Sequence, residues 1–350
     1  MTMASTREAS VLVLVAALVC GAAAATLKVD TTGEAVANGL SFDFYDDSCP
    51  ILEHIVEFYV DQAFSKDVGI APALIRILFH DCFPQGCDAS VLLNGTGSEL
   101  LELPNLTLRP TALKLIDDIR AAAHAACGPI VSCADVISLA TRDALVEAGG
   151  PSYDVPLGRR DGLGPALKKI VGTLPAPFFN VSQLIQSFGD RGLDVTDLVA
   201  LSGAHTFGVA HCSSFSDRFT PAPDNPIIDA KFVATLKAKC ANDPNDTVTQ
   251  NQDVRTPDVF DNKYYFDLIA KQGLFKSDQA LYFDGRTNRT AIRYSLNQAA
   301  FFDQFARSVV KMSQMDVLTG TQGEIRLNCA VPNKRAGIET ASDEGVAAEM

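Results

Sequence analysis

At 350 residues the chain is long enough for one large domain or two. Hydrophobic residues make up 47% and charged residues 20%, with mean hydropathy +0.12, which excludes disordered, collagen-like and coiled-coil architectures. Lys+Arg 29 against Asp+Glu 42 leaves a net charge of -13 and a pI near 4.8; with no basic stripe, a nucleic-acid partner is not expected.

The chain opens with an apolar run over residues 11–21 that ends in Ala22-Ala23-Ala24-Ala25. The run is shorter than the roughly 20 residues a membrane span needs. It reads as a secretory signal over residues 1–25, which puts the remainder on the route to the cell exterior. Residues 26–40 are small and polar, and a flexible extension is expected there. Helical period then runs through 50–66, 71–82, 109–126 and 132–148, where Ser132 and Asp135 have N-cap spacing. It resumes over 194–207, 229–239, 260–270 and 287–313. Strand-like alternation is scarce, and proline and glycine clusters separate helices rather than domains. One mainly α domain over 41–330 is therefore expected, with little β structure. Residues 331–350 are acidic and alanine-rich, and form a second flexible extension or propeptide. No second long apolar stretch follows the first, so no membrane partner is expected, and the chain is taken to act as a monomer.

Nine cysteines are present, and Cys20 falls in the signal. The eight others, in a secreted chain, imply four disulfides with about 105 possible pairings. No C-x-x-C pair appears, which weakens a zinc reading. Sequons at Asn94, Asn105, Asn180, Asn245 and Asn288 agree with the secretory route.

Two segments break the rules of an ordinary core. In Ala73-Leu74-Ile75-Arg76-Ile77-Leu78-Phe79-His80 apolar residues surround the helix axis, yet Arg76 and His80 project from one face at i and i+4. A buried guanidinium costs several kcal/mol unless compensated. A structural ion pair is one reading; a cavity where a base and a fixed cation act on a substrate is the other. In the second segment His205 lies four residues after Leu201 on an apolar stripe, where a core histidine is the commoner reading. Gly203 and Ala204 remove bulk beside it and would let a flat group approach.

Arg76-Ile77-Leu78-Phe79-His80-Asp81-Cys82-Phe83 with Gly86-Cys87-Asp88-Ala89-Ser90 closely resembles the distal motif of plant secretory (class III) haem peroxidases. The segment from Asp197 through Gly203-Ala204-His205-Thr206-Phe207-Gly208 resembles their proximal motif. Val131-Ser132-Cys133-Ala134-Asp135, Pro156-Leu157-Gly158-Arg159-Arg160-Asp161, Leu174-Pro175-Ala176-Pro177 and Asp253-Val254-Arg255-Thr256-Pro257 match as well, so the resemblance runs from about 44 to 329.

The resemblance implies a haem peroxidase fold with one haem b held between a distal and a proximal helix. It makes His205 the axial ligand and Asp278 the carboxylate bonded to it, which strengthens His205 as a donor. His80 would take a proton from hydrogen peroxide and return it to the departing oxygen, and Arg76 would stabilise the developing charge. Asn105 would accept from His80 Nδ1–H, although the family's usual Gly-Phe after the following arginine is here Pro110-Thr111. Small phenols would give up single electrons at the haem edge beside Pro175. Two calcium ions are also implied. One would take Asp81, Asp88 and Ser90 with the Pro84 and Gly86 carbonyls, an oxygen set suited to a hard cation. The other would take Thr206, Asp253, Thr256, Val259 and Asp261. The implied disulfides are Cys49–Cys127, Cys82–Cys87, Cys133–Cys329 and Cys212–Cys240. The expected function is a secreted peroxidase, destined for the cell wall or vacuole. The rivals are a zinc hydrolase, for which no H-E-x-x-H spacing exists, and a non-catalytic haem- and calcium-binding glycoprotein.

Overall fold

The computed structural model describes residues 26–219 and 225–333, so the expected signal at 1–25 and nearly all of the expected C-terminal extension lie outside the described residues. Four long helices make up the first half: α1 (Leu52–Phe64), α2 (Ile70–Cys82), α3 (Pro110–Cys127) and α4 (Cys133–Glu147). Helix α4 is their hub, packing on α1, α2 and α3. Every residue from Cys133 to Leu145 is buried. Its first turn is capped as its sequence predicts, with Ser132 Oγ accepting from Asp135 N at 3.1 Å.

The second half holds α5 (Lys168–Val171), α6 (Val181–Gly189), α7 (Val195–Ser202), α8 (Ala230–Cys240), α9 (Lys263–Ile269), α10 (Lys276–Phe283), α11 (Asn288–Leu296) and α12 (Gln298–Met312). Helix α12 packs on α7, and its Phe301 and Phe305 make ring contacts with each other and with Phe260. Strands are short: β1 (Lys28–Val29) pairs parallel with β2 (Ser152–Tyr153), and β3 (Val209–His211) pairs antiparallel with β4 (Thr249–Asn251). The fold is mainly α, as expected. No helix among the described residues is long and apolar enough to cross a membrane.

Within the 26–40 segment, expected as a flexible extension, some residues contact the domain. Val29 is buried in the core, and the Thr31 hydroxyl donates to Asp154 O at 2.7 Å. Its apolar residues are few, but backbone pairing to β2 ties it down.

Disulfides join Cys49–Cys127, Cys82–Cys87, Cys133–Cys329 and Cys212–Cys240. The Val131–Asp135 and Pro156–Asp161 motifs meet at a buried ion pair. Arg159 Nη1 donates to Asp135 Oδ1 at 2.9 Å, with both side chains 0% exposed. Asp135 also accepts from the Tyr45 hydroxyl and Gly158 N, each at 2.9 Å. Asp161, at 0% exposed, accepts from Cys133 N, Ala134 N and Arg326 N, and burial lifts its carboxyl to about 6. These motifs join α4 to the loop before α5.

Candidate active site

Helix α2 carries the first part of the site. Arg76 and His80 share a face one turn apart, and Arg76 Nε–H points at His80 Nε2 at 3.4 Å. The rest of the guanidinium is held by backbone carbonyls, donating to Pro104 O at 2.8 Å and Thr107 O at 3.1 Å. Among the described residues no carboxylate pairs with it, and burial lowers its pKa to about 10. The half-buried cation is therefore compensated by a loop.

The same loop presents Asn105, which is 2% exposed. Asn105 Nδ2 donates to Glu99 O at 2.9 Å, which leaves Oδ1 to accept from His80 Nδ1–H at 2.6 Å. A carbonyl can only accept, so this chain of bonds fixes the His80 tautomer with the lone pair on Nε2. Burial, then the Arg76 charge, holds the His80 pKa down to about 3, against a smaller upward pull from Asn105. At neutral pH His80 is an uncharged base beside a fixed cation.

The second part follows α7. The helix stops at Ser202, and Gly203–Thr206 continue as a 3₁₀ turn rather than as the unbroken helix expected to 207. A Cβ at Gly203 would lie 2.5 Å from both Phe301 and the Tyr265 hydroxyl, so only glycine fits there. The tightened turn carries His205, whose Nδ1–H donates to Asp278 Oδ1 at 2.7 Å. Asp278, 2% exposed in the first turn of α10, also accepts from Tyr264 at 3.1 Å and Phe275 N at 2.9 Å. Burial, then the Asp278 charge, keeps the Tyr264 phenol protonated well above its ordinary range, so the tyrosine is the donor. His205 Nε2 has no hydrogen-bond partner among the described residues, and its side chain is 38% exposed although Thr206 beside it is fully buried.

Glycine also joins the two parts. Gly208 (φ +87°) sits against α2, where a Cβ would lie 2.7 Å from Pro72 Cβ. Three residues after His205 the chain thus touches the helix that carries His80. The donor chemistry fits a haem: an imidazole with Nδ1 anchored to a carboxylate and Nε2 without a partner among the described residues. Pro175 is half-buried, and Pro177 O of its loop accepts from Ser277 N at 2.9 Å, tying the loop to α10.

Two oxygen-rich loops adjoin the histidines. In the first, Asp81, Asp88 and Ser90 are buried, and burial pushes both carboxyls up, with Asp88 adding its charge at Asp81. Gly86 O accepts from Asp88 N at 3.0 Å, while Pro84 lies in the same turn. In the second, the Thr206 hydroxyl lies 3.1 Å from Asp261 Oδ1 and 3.3 Å from Asp253 Oδ2. A single hydroxyl hydrogen cannot satisfy two carboxylates, so the pair suits a cation. Thr256 donates to Asp261 Oδ2 at 2.9 Å, and Val259 N donates to Thr256 O at 3.0 Å. Nearby Asp267 is raised to about 7 by burial and then by Asp253. Among the described residues no three His, Cys, Asp or Glu side chains gather as a metal site, so hydroxyl and carbonyl oxygens would have to complete either shell.

Sequence reasoning missed Tyr264, Glu99 and the Pro104 and Thr107 carbonyls. Backbone acceptors leave no mark in a sequence, and Tyr264 reads as one more aromatic on a buried helix.

A peroxidase family model matches residues 56–297. The chain is 47% identical to Peroxidase 12 of Arabidopsis thaliana, covering 98% of this chain and 97% of the relative. It is 52% identical to Cationic peroxidase SPC4 of Sorghum bicolor over 85% of this chain and 83% of the relative. Peroxidase 47 of Arabidopsis thaliana is 46% identical over 84% and 89%. With the family model covering most of the domain and these relatives nearly its whole length, the chain belongs to the plant secretory (class III) peroxidases.

Proposed function

We propose that His205 Nε2 would hold the iron of one haem b, and that His80, Arg76 and Asn105 act on the hydrogen peroxide that this group would reduce. When bound, the haem supplies the redox chemistry: two-electron reduction of peroxide, then one-electron oxidation of two reductant molecules. The protein's own part is proton transfer and charge. His80 Nε2 takes the proton from peroxide and delivers it to the departing oxygen, which leaves as water. The Arg76 guanidinium, held by two carbonyls, faces the negative charge that develops as the O–O bond breaks. Asn105 keeps the His80 proton on Nδ1, and Asp278 does the same for His205. Small phenols are the proposed reductants, meeting the haem edge beside Pro175.

The observation that carries this reading is the pair of matched tautomers. Both histidines hand Nδ1–H to a fixed oxygen and keep Nε2 basic. A non-catalytic haem carrier has no use for the His80–Arg76–Asn105 arrangement. The test is a haem assay on the purified secreted protein, followed by peroxide-dependent oxidation of a small phenol. One haem per chain and turnover are expected; absence of either rejects the reading.

Asn105 stands in two sequence patterns at once. A glycan needs its amide exposed, yet both amide atoms are used inside the pocket. Peptide mass spectrometry should find Asn105 unmodified, with glycans among the exposed Asn94, Asn180 and Asn245. High occupancy at Asn105 would remove it from the pocket. Asn105→Val should slow the peroxide step by up to about 10-fold, the worth of one neutral hydrogen bond.

Two calcium ions are proposed for the oxygen-rich loops. Asp81 adjoins His80 and Thr206 adjoins His205, so each ion would brace a functional histidine through one peptide bond. Metal analysis should give two calcium ions per chain. Chelation from a free calcium level 100-fold above Kd should remove about 2.7 kcal/mol of stability per site and lower turnover. Unchanged unfolding and turnover after complete calcium loss would contradict the bracing role. Four disulfides and three exposed sequons support passage through the secretory route to wall or vacuole.

A further inference from the structure

An aromatic ladder leads away from His205. Its ring lies 6.2 Å from that of Tyr264; Tyr264 lies 5.0 Å from Tyr265, and Tyr265 lies 5.4 Å from Tyr294. All three tyrosines are at most 2% exposed. The chain has no tryptophan, and its eight described cysteines are paired in disulfides, which leaves tyrosine as its most readily oxidised side chain.

Oxidation of a buried phenol needs somewhere for its proton to go, because a phenol that has lost an electron is a strong acid. Tyr264 has that acceptor: its hydroxyl donates to Asp278 Oδ1, the oxygen that also accepts from His205. Tyr265 does not, since its hydroxyl donates to the Val199 carbonyl, which cannot keep a proton. Tyr45 does reach a carboxylate, Asp135, but its ring contact is with Phe44 and not with the ladder. Among the described residues, a proton acceptor and ring contact with His205 coincide only at Tyr264.

We propose that Tyr264 is a redox-active side chain that holds one oxidising equivalent when reductant is scarce. It rests on the proximal reading of His205 and Asp278. Tyr264 gives one electron to the haem group that peroxide has oxidised. Its O–H bond breaks, the proton moves to Asp278, and a neutral phenoxyl radical remains. One electron from a phenolic reductant, whose own proton passes to solvent, and return of the proton from Asp278 restore Tyr264; a second reductant molecule supplies the remaining electron.

Freeze-quench electron paramagnetic resonance after one equivalent of hydrogen peroxide, without reductant, tests this directly. The wild-type holoenzyme should give a tyrosyl signal that narrows when the protein is grown on ring-deuterated tyrosine. Tyr264→Phe should reduce that signal at least 10-fold and prolong the oxidised haem spectrum, while Tyr265→Phe should keep it. If Tyr264→Phe loads haem poorly, 3-fluorotyrosine at position 264 retains the hydrogen bond and should change the hyperfine pattern. No tyrosyl signal in the wild type, or an unchanged signal in either position-264 protein, overturns the proposal. The peroxide rate measured in the same samples would still report on the peroxidase reading separately.

Discussion

Replacing His80 by leucine should leave a folded, haem-loaded protein whose reaction with hydrogen peroxide is slower by about 10²–10⁴-fold, the usual worth of general acid–base help. The expectation follows from the state of the ring. Asn105 Oδ1 takes Nδ1–H, so Nε2 is the basic atom, and the pKa near 3 keeps it uncharged at neutral pH. Haem retention should be unaffected, because the proposed iron ligand is His205 on a different element. The pH profile carries the same sign. A base with depressed pKa is available above that value, so the wild-type peroxide rate should be level from neutrality downward and fall only as pH approaches about 3. Rapid mixing with peroxide measures both. A near-normal rate in His80→Leu, or a wild-type rate that falls through pH 6.5, would remove His80 from the proton step.

The second large effect is on stability. Asp135→Ala should destabilise the protein by about 3–5 kcal/mol, because it strands the buried Arg159 charge. Arg159 and Asp135 are both 0% exposed, and three further donors converge on the carboxylate: the Tyr45 hydroxyl, Gly158 N and Arg159 N. Against a usual net stability of 5–15 kcal/mol, such a loss is a large share. Asp135→Asn keeps one acceptor oxygen and should cost less. Denaturant unfolding of the three proteins decides it, and a loss under about 1 kcal/mol in the alanine variant would mean that the pair is dispensable.

The ion pair also shows what a motif can hide. Val131–Asp135 and Pro156–Asp161 stand out in the sequence beside the distal and proximal motifs, yet they fasten α4 to a loop. The helices legible in the sequence were those with amphipathic period. Helix α10 escaped because Lys276, Ser277, Asp278 and Gln279 are polar but buried, so no apolar stripe marks its start. Helix α6 escaped because Asn180 reads as a sequon, whereas its Oδ1 also caps the helix, accepting from Gln183 N at 3.0 Å. The long periodic run over 287–313 is two helices, parted where Asn297 leaves helical geometry and caps α12 through Ala300 N.

In the site, Arg76, His80 and His205 were visible as misfits in apolar surroundings. Asp278 was not, except by resemblance, because 73 residues separate it from His205 and only tertiary packing joins them. Asn105 has a surface sequon's signature and an interior position. Tyr264 had no signal of its own, since its function-bearing atom is a hydroxyl among aromatic neighbours.

The proposed arrangement is a haem between two histidines of different duty. A crystal structure of the purified protein with its bound haem tests it most directly. Iron should be bonded to His205 Nε2, with Asp278 still on Nδ1, and His80 and Arg76 should face the other side of the iron without binding it. Iron bonded to both histidines, or a haem held by any residue other than His205, would contradict it.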